Sequence, residues 1–171
     1  MNRRFLLASV LSVVGTAASA GRTVIKRIPI YRGPAITQVL VNKSERRMYL
    51  LAGEKVVKKY RVDLGFAPRG HKFEKGDGRT PEGLYWIDRD NVNSRYYLSL
   101  GISYPNAEDR RKAKAAGVDP GGDIFIHGGP RYKGERRRGR DWTAGCISVS
   151  DRQMKWIFAM VKVGTPIYIN P

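Results

Sequence analysis

The sequence of 171 residues predicts a mainly β domain with two short peripheral helices. Short apolar segments, some alternating and some continuous, recur along the chain between Gly, Pro and charged residues, a pattern typical of β-strands. Only two segments combine a helix N-cap residue with helical periodicity. The content of hydrophobic residues, 42%, is enough for a packed core, and neither an internal repeat nor a change of composition divides the chain.

The first strands are expected to form a hairpin. Apolar segments at 37–41 and 48–51 are followed by the turn residues Gly53 and Glu54, after which 56–64 is the returning strand. Further strands are predicted at 84–87, 96–100, 124–127, 146–149 and 166–169. The stretches 65–83 and 131–140 carry many charges and lack apolar periodicity, so both are predicted to be loops.

Two helices are predicted from their capping residues. Asn106 is a suitable N-cap for a helix over 107–116, which ends at Gly117. Ser150 and Gln153 form a capping-box pattern at the start of a second helix, whose apolar face consists of Met154, Ile157, Phe158 and Val161.

Residues 1–20 have the features of a secretory signal peptide. A basic start at Arg3 and Arg4 precedes an apolar run over 5–14, and Ala18-Ser19-Ala20 is a small-residue cleavage pattern. We therefore expect a signal peptide at 1–20, a lead-in segment at 21–35 and one domain at 36–171, located in the periplasm. The apolar run is short for a bilayer span, so we expect no stable membrane span after cleavage, with a retained anchor as the alternative.

The chain is strongly basic. Its formal net charge is +17, and removing the two arginines of the signal leaves +15. In a cytoplasmic protein this excess would indicate nucleic acid first, but export favours anionic cell-wall polymers and lipid head groups as partners. We therefore expect no nucleic-acid partner. A solvated basic surface without a specific partner is an equal alternative.

The chain contains one cysteine, Cys146, which therefore has no partner for an internal disulfide. It is a buried inert thiol, an intermolecular bridge or a catalytic nucleophile. A nucleophile needs a base, and His127 ends one apolar strand while Cys146 begins another. Gly145 permits a tight turn that frees main-chain N–H groups for a bound carbonyl. From spacing alone, a buried cysteine beside a structural histidine is the commoner arrangement.

No metal or other cofactor is expected, because two histidines and one cysteine give no recognisable ligand spacing.

The segments 124–129 (IFIHGG) and 143–150 (TAGCISVS) resemble the catalytic motif of the YkuD-type L,D-transpeptidase family. That motif is a histidine, a loop, and then Ser/Thr-His-Gly-Cys. The hairpin over 40–64, the loop GDGRTPEG at 76–83 and the sequence GTP at 164–166 also agree with the family in order. The resemblance covers residues 36–169.

The resemblance implies a mixed, β-sandwich-like sheet and a monomer that acts on peptidoglycan stem peptides. Cys146 would attack a stem-peptide carbonyl and form a thioester, with His127 as general base. A backbone carbonyl near Gly128 would orient His127, and the N–H groups of Gly145 and Cys146 would hold the oxyanion. The acyl group would then pass to an amine or to water.

Two positions depart from the family pattern. Ala144 stands where the motif usually has a second histidine, and Ser148 stands where many members have arginine. With these changes, the sequence resembles a subgroup of the family that includes enzymes acting on the link between murein and lipoprotein. A hydrolytic murein amidase or carboxypeptidase is therefore the main alternative to a transpeptidase, and a non-catalytic murein-binding domain is another.

Other candidate site residues flank the motif. Thr143 and Trp142 precede the cysteine, and Trp142 is either a wall of the substrate groove or a core residue. The basic loop, with Arg131 and Arg140 among its arginines, is a candidate for binding substrate carboxylates or is simply solvated. His71 lies in a charged loop and either approaches the cleft or is solvated. The sequence also predicts that a thiol reagent labels Cys146 faster than an ordinary cysteine.

Overall fold

A computed structural model describes residues 26–171. The predicted signal peptide and the first part of the lead-in segment lie outside the described residues. The strands are β1 (Gln38–Asn42), β2 (Arg47–Ala52), β3 (Lys55–Arg61), β4 (Gly83–Asn91), β5 (Ser99–Ile102), β6 (Phe125–His127), β7 (Ile147–Ser148) and β8 (Pro166–Asn170). The helices are α1 (Ala107–Ala115), α2 (Lys133–Arg137) and α3 (Asp151–Met160).

The strands form one mixed sheet in the order β3-β2-β1-β8-β4-β5-β6-β7. The pairs β1–β8 and β6–β7 are parallel, and the other neighbours are antiparallel. The long strand β4 belongs to both halves of the sheet and contains an irregularity between Ile87 and Arg89. Such irregularities bend a strand and increase its local twist.

The two outer ends of the sheet are joined by the chain that follows β3. Asp63 forms a bridge with Ser148, and Gly65 forms a bridge with Thr143. The sheet therefore curves around one core instead of lying open, which connects the segment before Cys146 to the first hairpin. The predicted class, mainly β with a mixed sheet, is confirmed.

The core is built from alternating residues of these strands. Val39 and Val41 of β1 and Ile167 and Ile169 of β8 are buried to 1% exposure or less, while the residues between them are less buried. Their period of two places one face of each strand against the core. Helix α3 packs on β5 and β6 through Met154, Ile157 and Phe158.

Both predicted helices are confirmed with their caps. Asn106 accepts from the amide of Asp109, Ser150 accepts from that of Gln153, and each helix has a complete capping box. The prediction of a loop throughout 131–140 was wrong for Lys133–Arg137, which form the short helix α2. Glu135 stabilises its start, because one carboxylate oxygen accepts from the amides of Arg131 and Tyr132 at 2.9 and 3.0 Å.

Within residues 26–171, no helix has the length and apolar character needed to cross a bilayer.

Candidate active site

The pairing of β6 with β7 determines where the histidine and the cysteine lie. Ile126 is opposite Ile147 and His127 is opposite Ser148 in a parallel register, so Cys146 immediately precedes the paired segment. The side chains of His127 and Cys146 line the same cavity, of about 260 Å³. Residues 19 positions apart in the sequence therefore share one site because two short strands are neighbours.

The imidazole of His127 is buried, with 4% of its surface exposed. Its Nδ1 lies 2.6 Å from the carbonyl oxygen of Gly128. A carbonyl only accepts hydrogen bonds, so Nδ1 carries the proton and Nε2 is left as the basic nitrogen. Burial lowers the pKa of His127, although the Gly128 carbonyl opposes that shift. The ring is therefore a neutral base at pH 7.

Two aromatic side chains fix the plane of this ring. The ring centroid of Tyr96 lies 4.5 Å from that of His127, and Trp142 contacts it edge-on at 5.7 Å. Trp142 is 4% exposed, so it packs within the site and does not form an open wall. Its Nε1 is buried without a hydrogen-bond partner among residues 26–171.

Tyr96 is held by helix α2. Its hydroxyl donates to Oε1 of Glu135 at 2.6 Å, and burial together with this bond raises the pKa of Tyr96 to about 12. Burial alone would raise the pKa of Glu135, but hydrogen bonds from Tyr96 and from two backbone amides lower it below its usual value. Glu135 is therefore a carboxylate near His127, and its charge opposes the lowering of the histidine pKa.

The thiol of Cys146 is half-buried. It lies 3.5 Å from the carbonyl oxygen of Asp123, to which it donates a weak hydrogen bond. Burial raises the pKa of Cys146 to about 11, and a hydrogen bond from the amide of Phe125 offsets part of that shift. Because a thiol with this pKa is protonated at pH 7, forming the thiolate requires a base.

The backbone before Cys146 is held in a tight turn by Thr143. The Thr143 hydroxyl donates to the carbonyl oxygen of Cys146 at 2.7 Å and accepts from the amide of Gly145 at 3.1 Å. The Gly145 N–H, which the sequence assigned to a bound carbonyl, is thus engaged within the turn. In the described part of the chain, the N–H groups of Ala144 and Cys146 have no hydrogen-bond partner.

Gly145 is required by its conformation and by its neighbour. Its φ is +131°, and a Cβ at this position would lie 2.7 Å from the carbonyl oxygen of Arg79. Arg79 belongs to the loop GDGRTPEG at 76–83, so this loop packs directly against the backbone that presents the thiol. The loop therefore positions the site without contributing a side chain to the thiol.

A second, larger cavity of about 650 Å³ also borders Cys146. Its charged lining residues are Lys72, Lys75, Arg89, Asp119 and Asp123, and Arg89 contacts Oδ1 of Asp123 at 3.3 Å. Lys72 is 3% exposed and its ammonium contacts Oδ1 of Asp77 at 2.9 Å. The thiol thus lies between a small cavity that contains His127 and a larger one with charged walls.

His71 lies away from both cavities. Its Nδ1 accepts from the amide of Glu82 at 3.0 Å, and its Nε2 contacts Oδ1 of Asp109 at 3.1 Å. These bonds join the loop over 65–83 to the start of helix α1. The sequence left two alternatives for His71, approach to the cleft or solvation, and the structure instead gives its ring bonding partners in the loop and in helix α1.

Arg131 and Arg140 of the basic segment also lie outside the two cavities at Cys146. Arg131 pairs with Oδ2 of Asp151 at 2.7 Å. Arg140 lines a separate cleft together with Arg46 and Asp141.

The two departures from the family pattern lie on different sides of the site. Ala144 is exposed and lines the larger cavity, next to Cys146. Ser148 is buried and lines neither cavity at the thiol but a third one, with Arg61 and Arg140. The short Ala144 side chain leaves room beside the thiol of Cys146.

Sequence reasoning missed several residues of the site. Tyr96 was assigned to a strand, Glu135 and Lys72 were treated as loop charges, and Asp123 was not singled out. No local motif marks them, because each reaches the site through pairing of distant segments. In residues 26–171, no group of three His, Cys, Asp or Glu side chains is arranged to hold a metal ion.

Comparison with known proteins agrees with this geometry. The family model of the L,D-transpeptidase catalytic domain, YkuD, matches residues 36–169. YafK of Escherichia coli (strain K12), provisionally named an L,D-transpeptidase, is 31% identical over 99 residues, which cover 56% of this chain and 38% of YafK.

Two solved structures share the fold over most of the described chain. The helical cell shape determining protein Pgp2 from Campylobacter jejuni is 25% identical, with a TM-score of 0.58 over 84% of this chain and 51% of Pgp2. Bd1075 of Bdellovibrio bacteriovorus is 26% identical, with a TM-score of 0.55 over 83% of this chain and 51% of Bd1075. The chain thus spans about half the length of these two relatives and less of YafK.

Proposed function

Because this chain belongs to the YkuD family of L,D-transpeptidase catalytic domains, we propose that it is an exported cysteine L,D-transpeptidase acting on peptidoglycan stem peptides. The family supports a transpeptidase-type function in peptidoglycan metabolism. The observation that carries the proposal is that the only cysteine of the chain and a buried, neutral histidine line one cavity.

The first step is attack by the thiol. Nε2 of His127 takes the proton of Cys146 as the sulfur attacks a stem-peptide carbonyl, and the carbonyl electron pair moves to oxygen. The oxyanion would accept from the N–H groups of Cys146 and Ala144, since the Gly145 N–H is bound to Thr143. The carbonyl of Gly128 stabilises the imidazolium through Nδ1.

Collapse of the tetrahedral intermediate breaks the C–N bond. The imidazolium of His127 gives its proton to the departing amine, and the acyl group remains as a thioester on Cys146. An acceptor amine, deprotonated by the same Nε2, then attacks the thioester and releases the thiol. The leaving amine and the incoming amine therefore exchange protons with one nitrogen, so both need to occupy the same side of the site.

This requirement suggests which part of the substrate each of the two cavities would hold. The cavity of about 260 Å³ contains His127 and would hold first the leaving amine and then the acceptor. The cavity of about 650 Å³ would hold the acyl part of the stem peptide, and Lys75 would pair with one of its carboxylates, since Lys72 and Arg89 already pair with carboxylates of this chain.

The proposal includes the cellular location and assembly. The signal peptide at 1–20, the lead-in segment at 21–35 and the domain at 36–171 remain the proposed organisation, with the mature monomer in the periplasm. The similarity to a cell shape determining protein supports a role in cell shape.

Hydrolysis is the second candidate, and one observation favours it. Ala144 is exposed beside Cys146, where the family motif usually has a histidine, so water has space near the thioester. In that case the substrate would be a murein peptide bond such as the link to lipoprotein, and water would replace the acceptor amine.

The test is incubation of the mature protein with isolated sacculi, followed by mass spectrometry of the released muropeptides. Transpeptidation predicts new cross-linked or amine-exchanged products, and hydrolysis predicts products that have gained water. Cys146→Ala should give neither, whereas Ser44→Ala, on an exposed turn, should match the unmodified protein. Sacculus binding without any product would contradict both reactions and support a non-catalytic wall-binding domain.

A further inference from the structure

A cleft on another part of the surface lies away from Cys146. It has a volume of about 790 Å³ and borders neither His127 nor Cys146. We call it the arginine cleft, because its basic lining residues are Lys43, Arg46, Arg47, Arg61, Arg69 and Arg140. They come from the β1–β2 turn, strands β2 and β3, the loop after β3 and the segment before Trp142.

The carboxylates of the arginine cleft are already engaged. Asp141 accepts from Nε of Arg46 at 3.0 Å and from its Nη2 at 2.8 Å. Glu82 pairs with Lys43 at 2.8 Å. Glu45, the third acid, accepts from the hydroxyl of Tyr49 at 2.9 Å.

In the part of the chain that the structure describes, the cleft therefore has four arginines and one side-chain carboxylate, that of Glu45, outside ion pairs. Within the described residues, no carboxylate lies within ion-pair distance of the guanidinium groups of Arg47, Arg61, Arg69 and Arg140. Arg47 and Arg61 are directly opposite each other on β2 and β3. Like charges at such a position destabilise a strand pair, so a bound anion would relieve a repulsion that is built into the sheet.

The geometry points to a phosphate group as the ligand. Asp141 shows that a single guanidinium, that of Arg46, occupies both oxygens of a carboxylate in this cleft. A phosphate has more oxygens and carries up to two charges, so it can bind two or more arginines at once. We propose that the arginine cleft is a binding site for phosphate groups, contributed by a soluble phosphate polymer or by phospholipid head groups.

This proposal does not depend on the chemistry at Cys146. A site that binds phosphate groups of the cell envelope would keep a secreted basic protein close to the envelope. A ligand with several negative charges is also complementary to a cleft with an excess of positive charge. The net charge of the whole chain offers a simpler explanation, diffuse attraction, which a matched variant separates from a site.

The experiment compares two double variants of the mature protein that remove the same charge. Arg47→Gln/Arg61→Gln alters the cleft, whereas Lys58→Gln/Lys59→Gln alters exposed residues of β3 outside it. Binding of inorganic tripolyphosphate and of citrate is measured by calorimetry at fixed ionic strength. Cosedimentation with phosphatidylglycerol vesicles, compared with tripolyphosphate binding, distinguishes the lipid source from the soluble one.

The proposal predicts that Arg47→Gln/Arg61→Gln weakens tripolyphosphate binding by at least about tenfold, while the lysine variant changes it less than about twofold. Citrate should bind more weakly than tripolyphosphate. Equal losses in the two variants, or citrate binding as tightly as tripolyphosphate, would overturn the proposal. Both variants should keep the wild-type rate of Cys146 alkylation, so failure here is separable from failure of the proposed enzyme function.

Discussion

The Nδ1 atom of His127 lies 2.6 Å from the carbonyl oxygen of Gly128, the residue next to it in the chain. Thus a backbone carbonyl, and not a carboxylate, orients the imidazole and leaves Nε2 as the base. Among residues 26–171 no carboxylate bonds to the imidazole, and burial lowers the pKa of the ring. The resting pair is therefore a neutral thiol and a neutral imidazole.

Alkylation of Cys146 by iodoacetamide should be slow at pH 7. The sequence alone predicts a thiol that reacts faster than an ordinary cysteine, but burial raises its pKa to about 11, so little thiolate is present. The labelling rate of Cys146 should rise throughout the alkaline range. Near neutral pH it should stay below the labelling rate of glutathione. Rapid labelling with a midpoint below pH 7 would show a resting thiolate–imidazolium pair.

The reaction with substrate should depend on pH through the histidine. His127 accepts a proton only when neutral, and its pKa lies below the ordinary value of 6.5. The acylation rate should therefore be retained at pH 6.5 and fall on further acidification. Because the charge of Glu135 raises the pKa of His127, Glu135→Gln should move this acid limb to lower pH. A shift to higher pH would contradict the assignment.

Gly145→Ala should destabilise the protein and abolish turnover. Its φ is +131° and the new Cβ would lie 2.7 Å from the carbonyl oxygen of Arg79, so the turn that presents Cys146 has to move. We expect a loss of about 2 kcal/mol or more in the free energy of unfolding, measured by denaturant titration. The matched control is Gly134→Ala in helix α2. A Cβ at this position would meet no atom within 4 Å outside the neighbouring backbone, so the change should be neutral or stabilising.

Tyr96→Phe should lower kcat more than it raises KM. The variant keeps the ring against His127 but loses the hydrogen bond to Glu135, which fixes the position of that ring relative to helix α2. The side chains of Tyr96 and Glu135 are both partly exposed, so we expect the free energy of unfolding to fall by only about 1 kcal/mol, which a decrease in Tm would reveal. Tyr132→Phe, whose side chain is exposed, is the control. An unchanged kcat for Tyr96→Phe would remove the tyrosine from the positioning of the base.

Much of the fold follows from local sequence patterns. The hairpin turn at Gly53 and the caps Asn106 and Ser150 were predicted, because short-range hydrogen bonds and apolar periodicity determine them. Helix α2 was not predicted, since its start depends on the carboxylate of Glu135, which also bonds to Tyr96, 39 residues earlier. Long-range contacts of this kind have no local signature.

The candidate site was predictable to a similar extent. The motif around Cys146 and His127 pointed to two residues that line one cavity, because each is adjacent to a short apolar strand. The engagement of the Gly145 N–H by Thr143 depends on a side-chain rotamer, and the contacts of His71 with Glu82 and Asp109 depend on the packing of a loop against helix α1. Neither is encoded in residue spacing.

The most direct test of the central claim is detection of the covalent intermediate. The mature protein is mixed with a tetrapeptide stem substrate, quenched in acid after short times and analysed by intact-protein mass spectrometry with peptide mapping. The proposed mechanism predicts an acyl adduct on Cys146, absent from Cys146→Ala and formed far more slowly by His127→Gln. Product formation by Cys146→Ala, or an adduct mapped to another residue, would contradict it.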